Sequence, residues 1–214
     1  TRLSGRKREM KYIVLSVCRA VAGAGTMDEE YCCETIRITA LMLGENRKEI
    51  SSLDIHVKPA IIWENHLDKL NMSDDTRKSM EYAPALPEAF QMLVRWCYAV
   101  DSEFEIYTWG YNDLEQMKLE IENSGYEPDE LEQQFLECPV IDFKQKFMDK
   151  LQMNGMLPLN GIIRAAGVTV QDNTSGVLEF LQRIADVISI WFDPEKMEVL
   201  MKNREQVSEY VKNC

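Results

Sequence analysis

The sequence predicts an α/β domain on one mixed five-stranded sheet, with strands 1–3 antiparallel, two further strands parallel, and helices on both faces. Three observations point there. Apolar, β-rich runs follow one another through residues 11–59, and the last two are joined by a tight turn. Two short strands, FEIYTWG and CPVIDF, come later, each between helical segments. Those segments carry apolar stripes at helical spacing, as helices laid against a sheet require.

Residues 11–18, KYIVLSVC, read as a buried strand running into an acidic, Gly-rich loop, AGAGTMDEE. In ETIRITALML, Ile36, Ile38, Ala40 and Met42 alternate at period two and mark a second strand. GENRKE is a turn in which Gly44 and Asn46 supply the unusual dihedrals. ISSLDIHVKP returns as the third strand and stops at Pro59. WENHLDKL and SDDTRKSM predict short helices, the second capped by Ser73 with Asp75 and Thr76. PEAFQMLVRWCYAV has Pro87 in its first turn and a stripe of Phe90, Leu93, Val94 and Cys97. After the fourth strand, NDLEQMKLEIENSG is a helix stopped by Gly125. The fifth strand leads into the helix FKQKFMDKLQM, and PLNGIIRAAG is a short helix ending at Gly167. The polar loop TVQDNTSG precedes a long helix, VLEFLQRIADVISIWF, and PEKMEVLMKNREQVSEYVKN reads as one last amphipathic helix. The expected organisation is a basic arm over 1–10, a domain over 11–193, and a C-terminal helix over 194–214 packed on the domain or on a partner.

At 214 residues, 45% hydrophobic and 28% charged, the chain can bury a sizeable core. No apolar stretch approaches the roughly 20 residues that span a bilayer, and no signal-peptide pattern opens the sequence, so a cytoplasmic protein without a membrane partner is expected. The six cysteines show no C-x-x-C spacing, and Cys32 and Cys33, as strand neighbours, point to opposite faces. With His56 and His66 the only histidines, free thiols in a reducing compartment are expected rather than a zinc site. The net charge, 24 − 36 = −12, opposes binding a polyanion over a large surface. The opening arm is the exception, with Arg2, Arg6, Lys7, Arg8 and Lys11 against Glu9. It either touches phosphate or is left over from an upstream segment ahead of a natural start at Met10.

Several strings resemble a known family. ETIRITALMLGENRKEISSLDIHVKPA is similar to its "EIIEIGAV…(D/E)NGKEI…F..LVKP" pattern. KLNMSDDTRKSMEYAPALPEAFQMLVRW resembles the segment where a Thr-Gly-Ile-Thr-like turn precedes "AP" and an "F…W" helix. FEIYTWGYNDLEQM resembles its "TWGxxDxxQ" strand end, and IDFKQKFM with PLNGIIRAAGV the helix pair that follows. Together they cover about residues 11–190 in the family's order. The resemblance is to the DEDDh 3′–5′ exonucleases (the RNase T, proofreading and sporulation-inhibitor-like branch), and it implies an RNase H-like fold. Family chemistry rests on four carboxylates holding two divalent ions, with a histidine as general base.

Carried over residue by residue, that machinery is depleted. The first-strand Asp-x-Glu pair falls on Ser16 and Cys18; the acid after TWG falls on Asp113 and is retained. The last motif, H-R-x-x-D-D-A, places Ser175 at the histidine and Phe180 at the metal-binding Asp. A one-residue shift places Thr174 and Glu179 there instead. A hydroxyl is a weak ligand and a thiol too soft for Mg²⁺, so no metal cofactor and no catalysis are expected. Mg or Mn at Asp113, with Glu179, belongs only to the alternative of an active exonuclease working through a displaced site. Asp28, Glu29, Glu30 and Asp172 could refill such a site but read as solvated loop acids. Ser16 or Cys18 as a nucleophile lacks a base at a demanding spacing, since His56 and His66 sit on other elements. Trp96 and Trp191 fall at core spacing, and Trp63 follows the third strand. Any residual nucleic-acid cleft is expected around Trp109, Tyr111 and Asp113. Met197, Leu200 and Met201 form an apolar face for a partner or for the domain itself. The expected function is an inactive exonuclease-like domain acting as a binding or scaffolding module. Its partner would be a protein or a second copy in a homodimer, or else a nucleic-acid end.

Overall fold

Strand β1 (Met10–Ala22) pairs antiparallel with β2 (Cys32–Leu43), and β2 with β3 (Glu49–His56). A computed structural model of the chain describes these and the rest of residues 9–22, 32–65, 73–99, 103–110, 112–154, 157–170 and 176–212. β4 (Glu103–Thr108) joins β1 in parallel, and β5 (Val140–Asp142) joins β4 in parallel, so the order across the sheet is β3-β2-β1-β4-β5. This is the mixed sheet expected, three antiparallel strands and then two parallel ones.

Both faces of the central strands are covered. Ile13, Leu15, Ile38, Ala40 and Met42 pack under α3 (Leu86–Tyr98), joined by Leu114, Met117 and Ile121 of α4 (Asn112–Asn123). On the other face Val14, Leu41 and Leu43 meet α6 (Phe143–Leu151), α7 (Leu159–Ala165) and α8 (Val177–Trp191). The period-two stripe of β2 is therefore not all that it buries: Leu41 and Leu43 are buried on the opposite face, while Ile36 is only half-buried.

Local signals explain several helix ends. Ser73 Oγ accepts from the Thr76 amide at 3.2 Å to start α2 (Asp74–Glu81). Phe90, Leu93, Val94 and Cys97 form the buried face of α3, with Pro87 in its first turn. Gly125 and Gly167 follow α4 and α7 in left-handed backbone, φ +72° and +76°.

Five local expectations need correcting. In the β2–β3 turn the left-handed residue is Arg47 (φ 61°), while Gly44 serves close approach: a Cβ there would sit 3.2 Å from Ile50 Cδ1. Arg47 is held because its guanidinium carbon lies 3.4 Å from the Tyr12 ring centroid and 4.0 Å from that of Phe192, a double cation–π contact that offsets the strain. The first helix, α1, spans Ala60–Asn65 and starts directly after Pro59, because Glu34 accepts from the amides of Ala60, Ile61 and Ile62. Residues 66–70 of the longer helix expected there lie outside the described residues. α5 (Glu130–Leu136) was not expected; it is opened by a reciprocal cap, Glu132 N to Asp129 Oδ1 at 2.9 Å and Asp129 N to Glu132 Oε2 at 2.8 Å. β1 runs on past Cys18 to Ala22, with a bulge at Cys18/Arg19. The single last helix is two, α9 (Pro194–Lys202) and α10 (Arg204–Lys212), split at Asn203, whose side-chain amide donates to Ala165 O at 3.0 Å. Leu200 and Val207 are wholly buried in the core that α7 and α8 build. Met197 and Met201 pack against the same core.

Candidate functional site

β4 pairs with β1 only as far as Tyr107 opposite Val14, so from Ser16 onward that edge of β1 has lost its parallel partner. The chain turns away through Gly110 (φ 104°), whose amide donates to Asp142 Oδ1 at 3.0 Å, and enters α4. A crevice beyond the carboxyl end of a parallel strand is where α/β sheets place ligands. Here it narrows to a cavity of about 90 Å³ walled by Ser16, Thr108, Trp109 and Leu114, with Phe180 and Ile184 of α8 across it.

The structure thus brings together three residues singled out in the sequence: Ser16, Trp109 and Phe180. Phe180 stays 40% exposed at this wall, while Trp109 also leans on Phe147, ring centroids 5.9 Å apart. Asp113 lies in the first turn of α4, its side chain outside what is described; Tyr111, Thr174 and Ser175 lie outside the described residues, as do His66, Asp28, Glu29, Glu30 and Asp172. Cys18 sits across from Arg37 of β2 and is not part of the cavity wall.

Glu179 takes no part in that wall. One of its carboxylate oxygens pairs with Arg183 a turn further on, and Arg183 Nη1 donates to Asn160 Oδ1 at 2.5 Å. The other oxygen is buried with no donor among the described residues. Of these two neighbouring residues, Phe180 lines the cavity and Glu179 does not.

The described donors at the cavity are hydroxyls and an indole. Thr108 is 2% exposed and its Oγ1 has no partner among the described residues. Hard divalent ions need several anionic oxygens. Among the described residues no group of three His, Cys, Asp or Glu is placed to hold a metal ion. This donor set does not fit a metal pair.

Other candidates resolve into packing. Trp191 stacks edge-on against Phe143 and Phe147 at 5.9 and 5.0 Å, and Trp96 Nε1 donates to Ser51 Oγ at 3.1 Å. Trp63 lies under Lys58 Nζ at 4.9 Å. Cys97 and Cys138 are free thiols, and burial pushes the Cys97 thiol up to about 12, the opposite of an activated nucleophile. His56 is on β3 opposite Arg37 and not at the cavity.

One half-buried pair had no signal in the sequence. Arg19, just past Cys18, donates through Nε and Nη2 to Glu120 Oε1 at 3.0 and 2.7 Å, and Nη2 also reaches Cys33 O at 2.8 Å. Glu120 Oε2 accepts from Thr35 N at 2.9 Å. The pair pins α4, the helix that carries Asp113, to the end of β1. Its members are 101 residues apart, beyond any local pattern.

No protein-family model and no curated protein matches the sequence. Solved structures do match. A 3′-exonuclease in a structure of 3′-end-specific recognition of a histone mRNA stem-loop superposes with a TM-score of 0.64 at 11% identity, over 89% of this chain and 66% of that one. The nuclease domain of 3′hExo, a DEDDh family member bound to rAMP, gives 0.62 at 12%, over 90% and 96%. Cell-death related nuclease 4 (CRN-4) gives 0.58 at 12%, over 86% of this chain and 64% of that chain. The fold is RNase H-like, of the exonuclease kind. The chain spans about two thirds of the first and third of these chains. No described helix of this exonuclease-like fold is long and apolar enough to cross a membrane.

Proposed function

We propose that this chain is an exonuclease-fold binding module that does not cleave phosphodiesters, and that its partner is a protein. The observation carrying this reading is Phe180 beside Ser16 in a cavity of about 90 Å³. Ligand pockets measure about 300–1,000 Å³, so a nucleotide has no room there. Two divalent ions bring four positive charges whose dehydration only a cluster of carboxylates offsets. Ser16 and Phe180 supply none. Without the ions the cleft loses both the activated water and the charge stabilisation that phosphodiester hydrolysis relies on.

A net charge of −12 supports a protein over a nucleic-acid partner. In this reading residues 11–193 form the binding domain, 194–214 close onto it, and the free thiols suit the cytoplasm. Self-association into a homodimer is one form the partnership can take.

A second reading, a nucleic-acid end held without metal, is favoured by Trp109 on the cavity wall and by neighbours whose structures contain an RNA stem-loop or rAMP. Incubating the purified chain with end-labelled single-stranded RNA and DNA, in Mg²⁺ or Mn²⁺, tests the proposal. Intact substrate is expected. Shortening that disappears in Asp113→Ala would establish an active exonuclease with a displaced site. Retention of uncleaved RNA in EDTA would establish the second reading.

A further inference from the structure

We infer that the binding face is the groove along the first turn of α8, and that it takes a protein segment carrying an apolar residue followed closely by a lysine or arginine. This rests on the binding-module reading above and deepens it. The groove measures about 590 Å³, several times the cavity on the other side of the same helix turn, and lies between α8 and strands β2 and β3. Leu41 and Val177 line it, and Leu178 stands 42% exposed at its edge. An apolar side chain of a partner would bury there what water now meets.

The charges of the wall decide the partner's polarity. Arg37 is already matched by Asp54, through bonds of 2.7 and 2.6 Å. Glu179 is matched by Arg183 through one oxygen, and its second oxygen has no donor among the described residues. Glu49 is exposed at the far end of the groove and has no basic partner among the described residues. The uncompensated charge is therefore negative, and the chain's −12 steers cationic segments toward it from a distance. For the same reason a single-stranded nucleic acid is the wrong occupant.

A random peptide library displayed on phage, selected against the whole chain, provides the probe. Enriched peptides are expected to pair an apolar residue with Lys or Arg. Leu178→Ser should weaken their synthetic versions about tenfold, as loss of an apolar contact at the groove does. Glu49→Lys should weaken them comparably, and exchanging the peptide's basic residue for Glu should restore binding to that variant alone. Phe180→Ser, at the cavity, should leave the affinity unchanged. Peptides that bind both groove variants like the unaltered chain, or lose affinity only with Phe180→Ser, would overturn the groove while leaving a protein partner in place. No enrichment, with an uncleaved labelled RNA bound instead, would overturn the binding-module reading for proteins itself.

Discussion

Phe180 and Ser16, separated by most of the chain, line the same small cavity where β4 ends and β1 continues. If Phe180 occupies space that a working site would give to ligand, shortening it opens the cavity without creating donors. Phe180→Ala should cost about 1–2 kcal/mol in urea denaturation, less than a fully buried Phe because the side chain is 40% exposed. Labelled RNA should remain intact. Hydrolysis appearing in this variant would show that steric blockage alone had silenced the site.

The pair Arg19–Glu120 makes a stronger demand. Their side chains are 14% and 20% exposed, so removing the acid strands a guanidinium away from most of its solvent. Glu120→Ala is expected to destabilise by about 2–4 kcal/mol. Glu120→Gln should cost less, because its amide oxygen can still accept from Thr35 N. Equal costs for the two variants, read from urea midpoints, would mean that packing and not charge sets the effect.

Arg47 separates two contributions in one position. Its left-handed backbone favours glycine, while its stacking between Tyr12 and Phe192 favours arginine. Arg47→Ala loses the stacking and keeps the strain, and should cost about 1–2 kcal/mol. Arg47→Gly should recover about 1 kcal/mol of that loss. Chemical denaturation of the two variants side by side checks the difference.

Acid tests Arg37–Asp54. The Arg37 guanidinium holds the Asp54 carboxyl below its ordinary value of 3.8. A carboxylate lowered on folding contributes stability above its unfolded value, and that contribution is lost as pH falls through the folded one. The stability gap between the unaltered chain and Asp54→Asn should therefore hold constant through neutral and mildly acidic pH. It should close only below about 3.8, as the carboxyl takes up its proton. A gap that opens on acidification would contradict the assignment.

Much of this fold was legible because its signals are local. Ser73, Pro87, Gly125 and Gly167 mark helix ends through bonds and dihedrals made within a few residues. The cap of α5 is local too, written as Asp129-x-x-Glu132. The break at Asn203 could not be read, since a distant carbonyl, Ala165 O, stabilises it. The left-handed Arg47 in place of a neighbouring Gly or Asn likewise depends on rings from β1 and the end of α8.

The site divides the same way. Ser16, Trp109 and Phe180 could be proposed from motif order, and the structure sets them on one cavity. Neighbouring helix positions differ by about 100° around the axis. Which of Glu179 and Phe180 faced the cleft therefore needed coordinates. The groove beside Leu178 needed them too, because β2, β3 and α8 meet only in the folded chain.

Calorimetric titration of the purified chain with Mn²⁺ bears on the proposal that this cleft holds no pair of divalent ions. The unaltered chain should give no stoichiometric heat, and heat should appear only when Ser16→Asp, Cys18→Glu and Phe180→Asp are combined. Tight binding of two ions to the unaltered chain, abolished by Asp113→Ala, would contradict it.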